Sequence, residues 1–251
     1  QAIKYSCNYF FYDLGYKMGI DTIAEYAGYY GLGKRTGIEL MGEERGTVAS
    51  KEYAQSVGQD TWYISDTLSA VIGQSYNEFT PLQMAKYISM IANGGKNIDA
   101  SIIKSIIKPD GTEVSKEEIK QYVKDTLGTE NETEKDLDIS EENLQTIREG
   151  MKGVTSEPGG TAYSYFTDLD ITIAGKTGSA QTGVGDEAHA WFAGFAPYEN
   201  PEIAVIVFIE KGASGGYTAS TAKEIIKEYF GMNSEKVTED KSASSSVESV
   251  R

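Results

Sequence analysis

The sequence predicts an α+β fold, with a helical N-terminal portion feeding a small antiparallel sheet that a C-terminal helix backs. Three observations carry that expectation. Residues 1–33 space apolar and aromatic side chains at helical intervals. Three apolar segments between residues 168 and 212 are joined by short connections, as strands of an antiparallel meander are. The segment after them, TASTAKEIIKEYFG, places Ala, Ile and Phe at helical spacing and would cover one face of that sheet.

Taken in order, Gly15, Gly19 and the glycines from Gly28 to Gly33 break the first segment into two helices and a Gly-rich turn, GYYGLGKRTGIEL. Residues 50–60 read as a short polar stretch, and TWYISDTLSAVIGQ leads into a turn before Pro81. Thr80 suits an N-cap and Pro81 a first helical turn, so PLQMAKYISMIA is expected to be a helix that stops at Gly94 and Gly95. SIIKSIIK, residues 101–108, is rich in β-formers, and the acidic stretch from Asp110 to Glu142 reads as a solvated, partly loose excursion. A helix should start at Ser140 and end near Gly150 to Gly153. The three strands then fall in DLDITIAGKTGSAQT, HAWFAGFAP and EIAVIVFIEKG. The Ser-rich, charged tail from Asn233 is expected to be disordered, which leaves 1–232 as the folded part.

The 251 residues, 39% of them hydrophobic, suffice for a buried core. A formal charge of −15 argues against a nucleic-acid binder, because a phosphate backbone asks for clustered Lys and Arg. The single cysteine, Cys7, excludes an internal disulfide and a cysteine-based zinc site. The longest apolar run, Ile203 to Ile209, is far short of the roughly 20 residues that span a bilayer. The opening QAIKYSCNYFFYDLGYKMG already reads as an amphipathic helix, as though a domain had been cut, so any anchor is expected upstream.

The strongest chemical feature is Lys176-Thr177-Gly178-Ser179-Ala180, at the end of an apolar strand. Gly178 lets a ligand backbone approach closely, and Thr177 and Ser179, two apart, share one face. With Lys176 they would make a cationic, hydroxyl-lined cradle for a carboxylate. Alone, such a triplet is more often a polar strand end. Ser6-Cys7-Asn8 adds a hydroxyl that can relay a proton and an amide that can bind a carbonyl, on what reads as the first helix. By itself that pair, too, is more often an exposed helix face. Together, S-x-N and K-T-G are two of the three motifs of active-site serine enzymes that recognise penicillin.

In these residues the chain resembles a class B penicillin-binding protein, and the resemblance extends through nearly every segment up to Gly231. YYGLGKRTGIEL, IGQSYNEFTPLQMA, GVTSEPGGTA, IAGKTGSAQ and HAWFAGFAP follow in the family's order, with Ser75 where Gly is usual. The His-Ala-Trp-Phe wording is nearest to elongation-type members. The departure is the nucleophile. Ser101–Lys104, Ser105–Lys108 and Ser220–Lys223 match S-x-x-K, but all follow Ser6, where the family has that motif upstream. The nucleophile is therefore expected before Gln1.

The resemblance implies the penicillin-binding-protein/β-lactamase-like fold, here truncated, and acyl transfer through a serine ester without cofactor or metal. Ser6 would pass a proton between the missing motif lysine and the leaving amine. Asn8 would hold a substrate amide, and Lys176, Thr177 and Ser179, with Gly178 between them, would bind the terminal carboxylate. The charge of Lys176 would help keep the missing lysine neutral. The Ser179 N–H would supply half of an oxyanion hole, a contribution of about 3 kcal/mol. The implied partners are a peptidoglycan stem peptide ending in D-Ala-D-Ala, β-lactams, the missing N-terminal part of the domain and a glycosyltransferase. The implied place is the extracytoplasmic face of the bacterial membrane. Without that N-terminal part, the strand Ile203 to Glu210 would be an unpaired apolar edge. A D,D-carboxypeptidase, a serine β-lactamase and a non-catalytic peptidoglycan-binding module are the rival readings. Structural roles are expected for the only histidine, His189, ahead of its strand, and for Trp191, Phe192 and Phe195 as core or cleft wall. Asp186 and Glu187 read as a solvated turn that could attract an amine, and Cys7 as a small buried apolar residue.

Overall fold

The computed structural model describes residues 1–133, 136–181, 187–212 and 215–233. Its sheet is β1 (Ala174–Gln181), β2 (Ala188–Ala196) and β3 (Ile203–Ile209), antiparallel in the order β1-β2-β3. The register sets Gly175 opposite Gly194 and Lys176 opposite Ala193. Both faces of β2 are covered, which is why its sequence is a nearly continuous apolar run rather than an alternation. Phe192, Val205 and Val207 face helix α9 (Gly215–Tyr229) through Ala219, Ala222 and Ile226. Ala174, Ala193 and Phe195 face α5 (Pro81–Ala92) and α7 (Glu141–Ser156) through Ile88, Ile91 and Met151. Phe192 is wholly buried, which contributes roughly 2–3 kcal/mol from the ring alone. Its ring needs the glycine pair: a Cβ on Gly175 would stand 2.5 Å from Phe192 Cζ, and one on Gly194 2.9 Å from Cε1. Among the described residues β3 pairs with β2 alone, so its outer edge is open, as the sequence led one to expect.

The N-terminal part is helical. It comprises α1 (Asn8–Met18), α2 (Ile20–Tyr29), α3 (Lys51–Ser56) and α4 (Ile64–Val71), with a small core of Ile20, Ala49 and Ala70. Thr80 and Gln83 form a reciprocal capping box at the start of α5, and Pro81 occupies its first turn. The buried Gln83 amide also donates to the carbonyls of Lys34 (2.8 Å) and Arg45 (2.5 Å), tying the Gly-rich segment to α5.

Several expectations are corrected. Only Ile107 of residues 101–108 pairs, in an isolated bridge to Glu113. The acidic excursion holds a helix, α6 (Lys116–Leu127), because Ser115 caps its first turn and Gly128, in the left-handed region, ends it. It is also fastened to the body: the Glu43 carboxylate accepts from Thr36 N (2.7 Å), Gly37 N (3.1 Å) and Thr129 Oγ1 (3.0 Å). Residues 51–56 are helical, with Ser50 as cap. Helix α7 runs through Gly150 and Gly153 to Ser156, since tertiary packing against Ile3 and Lys4 offsets the glycines' poor propensity. A short helix, α8 (Tyr163–Phe166), precedes β1. His189 lies within β2, where its Nδ1 accepts from Lys211 N at 3.1 Å and its ring meets Phe208 edge-on. Phe192 and Phe195 are core, while half-buried Trp191 stacks on Phe208. Asp186 and the tail beyond Asn233 lie outside the described residues; Glu187 is exposed and pairs with Lys211.

Candidate active site

The cleft lies where the start of the chain meets the exposed edge of β1. Ser6 and Cys7 are not helical: residues 2–6 form a turn, α1 begins only at Asn8, and Cys7 is its N-cap. Cys7 is exposed rather than buried, because a residue at a helix mouth has no helical neighbours on its outer side. Ser6 has φ 52°, in the left-handed region that a serine seldom occupies. Backbone bonds from Tyr5 N to Gln1 O, Ser6 N to Ile3 O and Cys7 N to Ala2 O hold the turn.

Lys176 reaches from β1 to this turn. Its Nζ donates to Ser6 Oγ at 2.8 Å and to the carbonyl of Thr177 at 2.6 Å. Burial pushes its pKa down to about 8, and no neighbouring carboxylate opposes that shift. Among the described residues the amine is therefore a cation short of a counter-charge, beside a cleft of about 430 Å³. Ser6, Asn8, Thr177, Gly178 and Ser179 all line that cleft. The S-x-N and K-T-G motifs, 170 positions apart, thus meet in one place.

Four further lining residues escaped sequence reasoning: Thr161, Tyr165, Gly215 and Gly216. Thr161 Oγ1 shares a hydrogen bond with Thr177 Oγ1 at 2.7 Å and so orients that hydroxyl. Gly215 opens α9 against β1, where a Cβ would stand 3.1 Å from both Thr177 Cβ and the Gly178 carbonyl. The GGTA and GG pairs were visible in the sequence, but nothing local says that either returns to the strand. Of the S-x-x-K matches, Ser220 is exposed on α9 and Lys223 is held by both oxygens of Asp168, at 2.6 and 2.7 Å. Ser101 donates to Glu39 at 2.5 Å, and Lys108 pairs with Glu118. None of these residues lines the cleft.

The sequence matches the penicillin binding protein transpeptidase domain over residues 1–230. The chain belongs to that family. Among its relatives is the peptidoglycan D,D-transpeptidase MrdA of Escherichia coli K12, 31% identical over 241 residues, covering 90% of this chain and 36% of that protein. Penicillin-binding protein H of Bacillus subtilis is 34% identical over 198 residues, covering 73% of this chain and 24% of that protein. The chain thus spans about a third, or less, of the relatives it matches. Among solved structures, Pseudomonas aeruginosa PBP2 in complex with WCK 5153 aligns with TM-score 0.76 and 32% identity, covering 91% of this chain and 48% of that one. Helicobacter pylori PBP2 in complex with MreC aligns with TM-score 0.74 and 27% identity, covering 92% and 39%. The penicillin-binding-protein transpeptidase fold is accordingly the fold of this chain, with the α+β organisation that the sequence implied.

Proposed function

We propose that residues 1–232 are the C-terminal part of the transpeptidase domain of an elongation-type peptidoglycan D,D-transpeptidase. One observation carries this reading: Lys176 is a desolvated cation held by the Ser6 hydroxyl and the Thr177 carbonyl, beside an open cleft and, among the described residues, with no carboxylate of its own. A substrate carboxylate would complete it. The names of the relatives, D,D-transpeptidase and penicillin-binding protein, fit the same chemistry.

In this mechanism a serine outside these 251 residues, in an upstream S-x-x-K, attacks the penultimate D-Ala carbonyl of a stem peptide. The C–N bond breaks, D-Ala leaves with a proton relayed through Ser6, and an amine of a neighbouring stem displaces the serine ester. Lys176, Thr177 and Ser179 hold the terminal carboxylate, and Gly178 leaves room for the donor backbone beside the strand. Asn8 holds a side-chain amide of the donor. β-Lactams enter as donor mimics and stop at the ester. The missing N-terminal part pairs with the open edge of β3, and the 251-residue chain alone is inactive. An upstream anchor holds the domain at the extracytoplasmic face of the membrane. A glycosyltransferase supplies the glycan, and an MreC-like protein is the partner that the Helicobacter pylori complex suggests.

Fluorescent penicillin separates the alternatives. The longer protein that includes the S-x-x-K should be labelled, and the 251-residue chain should not. Labelling of the short chain would make a local serine the nucleophile. A folded longer protein that takes no label would leave a non-catalytic binding module.

A further inference from the structure

An ion pair joins the turn that carries Ser6 to the end of α7, although neither of its members lines the cleft. Lys4, 8% exposed, donates from Nζ to Glu157 Oε2 at 2.7 Å. Gly150 and Gly159 make room for the turn that carries Lys4, and Gly153 lies in ordinary contact with it. A Cβ on Gly150 would stand 2.8 Å from Ile3 Cδ1, one on Gly153 3.4 Å from Lys4 Cδ, and one on Gly159 3.1 Å from the Tyr5 ring. The turn is therefore seated residue by residue on the end of α7 and the loop after it. Glu157 opens that loop, with Gly160 N bonded to its carbonyl at 2.9 Å, and the loop delivers Thr161 to Thr177. The contacts close a ring: Lys4 to Glu157, along the loop to Thr161, across to Thr177, and from Lys176 back to Ser6.

We propose that the Lys4–Glu157 ion pair is a positioning clamp for the transpeptidation site, holding left-handed Ser6 opposite Lys176 and Thr161 against Thr177. The proposal rests on the function argued above. Its physical ground is the ring itself. Ser6 occupies an unfavourable backbone region, and such a residue stays in place only where its surroundings over-determine it. The clamp persists through neutral pH, because the hydrogen bond to Glu157 raises the Lys4 pKa and the same bond lowers that of Glu157.

The test measures the rate of acylation by fluorescent penicillin, against pH, in the longer protein that carries the nucleophile. Glu157→Gln and Lys4→Met should each slow acylation about tenfold, in line with the effect of sub-ångström misplacement. The pH midpoint belonging to Lys176 should also move to lower pH, because a displaced Ser6 no longer accepts from the cationic amine. The exchanged pair, Lys4→Glu with Glu157→Lys, should recover most of the rate. Lys17→Gln, which breaks the exposed Lys17–Asp13 pair, should change neither quantity. Should Lys4→Met fold poorly, Glu157→Gln carries the test, since the Glu157 side chain is 53% exposed. Wild-type rates in the variants, or slow rates that follow lost folded protein with an unmoved midpoint, would overturn the clamp alone. A parent protein that takes no penicillin would overturn the underlying function and the clamp with it.

Discussion

Two lysines, one in each half of the molecule, have their pKa pushed down to about 8 by burial, yet their surroundings differ in kind. Lys86, on α5 and 4% exposed, donates to Asn131 Oδ1 at 2.5 Å. The other end of Asn131 donates to Asp99, which also pairs with Lys120 at 2.7 Å. The charges of Asp99 and Glu43 work against the desolvation of Lys86. Among the described residues Lys176 has one hydroxyl and one carbonyl as ligands, and desolvation is the cause of its shift. The difference separates a structural lysine from a ligand-seeking one. Lys86 is compensated from within the protein and locks the excursion after α5 onto that helix. Lys176, in the function proposed above, is left for a carboxylate that enters the cleft.

The largest effect should therefore fall on one lysine and spare the other. Lys176→Met in the longer protein should lower the rate of penicillin acylation by about a hundredfold or more, the usual result of removing a preorganised charge-stabilising donor. Lys86→Met should leave that rate within twofold of the parent, roughly the scatter of distant, uncoupled sites. Equal losses in both variants would erase the distinction.

Next comes the pH dependence. Lys176 is mostly cationic below about pH 8, so the carboxylate recognition proposed for it should be present there and be lost as pH rises through that value. Acylation by a carboxylate-bearing β-lactam should fall about tenfold per pH unit above the midpoint. Lys86→Met should not move this midpoint, which stopped-flow rates from pH 6 to 10 would read out.

The burial of Lys86 should show in stability rather than in acylation. A lysine whose pKa drops from 10.5 to about 8 on folding carries a net cost of about 3 kcal/mol for its charged form at neutral pH. The unfolded chain holds the proton more tightly between those two values, so this cost begins to lift above pH 8 and stability rises with pH there. Lys86→Met should stabilise the protein by about 2 kcal/mol at pH 7, once the lost hydrogen bond is counted. Asn131 Oδ1 is not orphaned by the change, since Thr133 N still donates to it at 3.0 Å. Urea titrations at pH 7 and 9 should show the variant losing its share of the rise that the parent displays.

The same contrast explains what could be read in the sequence. The three strands, the capped helix at Thr80 and the K-T-G and S-x-N motifs are local patterns, and each was legible from periodicity, caps or residue order. What was not legible depends on contacts far along the chain. Ser6 is left-handed and outside α1 in a turn whose Ile3, Lys4 and Tyr5 sit against Gly150, Gly153 and Gly159. That α7 continues through two glycines follows from those same contacts. Thr161 joins the site only because residues 157–160 fold back toward β1. Nothing local marks Lys86 as buried: its compensation comes from Asn131, 45 residues on, and from the charges of Asp99 and Glu43. The acidic composition of the excursion hid α6, because charge is what an exposed helix and a loose segment have in common.

The smallest expected effect bears on how strongly that excursion is coupled to the site. Ser115 and Ser140 cap α6 and α7 in the same way, each accepting from the backbone N–H three residues on, Glu118 at 3.1 Å and Asn143 at 3.2 Å. Either serine replaced by alanine should cost its helix about 1 kcal/mol. On α7 that cost should reach the whole fold, because Leu144, Met151 and Val154 are buried in the body and its end seats the Ser6 turn. On α6, where Val123 is the one buried helical residue, it should appear as local opening. Amide hydrogen exchange should accordingly show Ser115→Ala loosening residues 116–127 while the sheet stays protected. Ser140→Ala should lower protection in the sheet and α7 together. If both variants loosen the sheet equally, the excursion is part of the cooperative core, and the lock at Lys86 bears on the catalytic half after all.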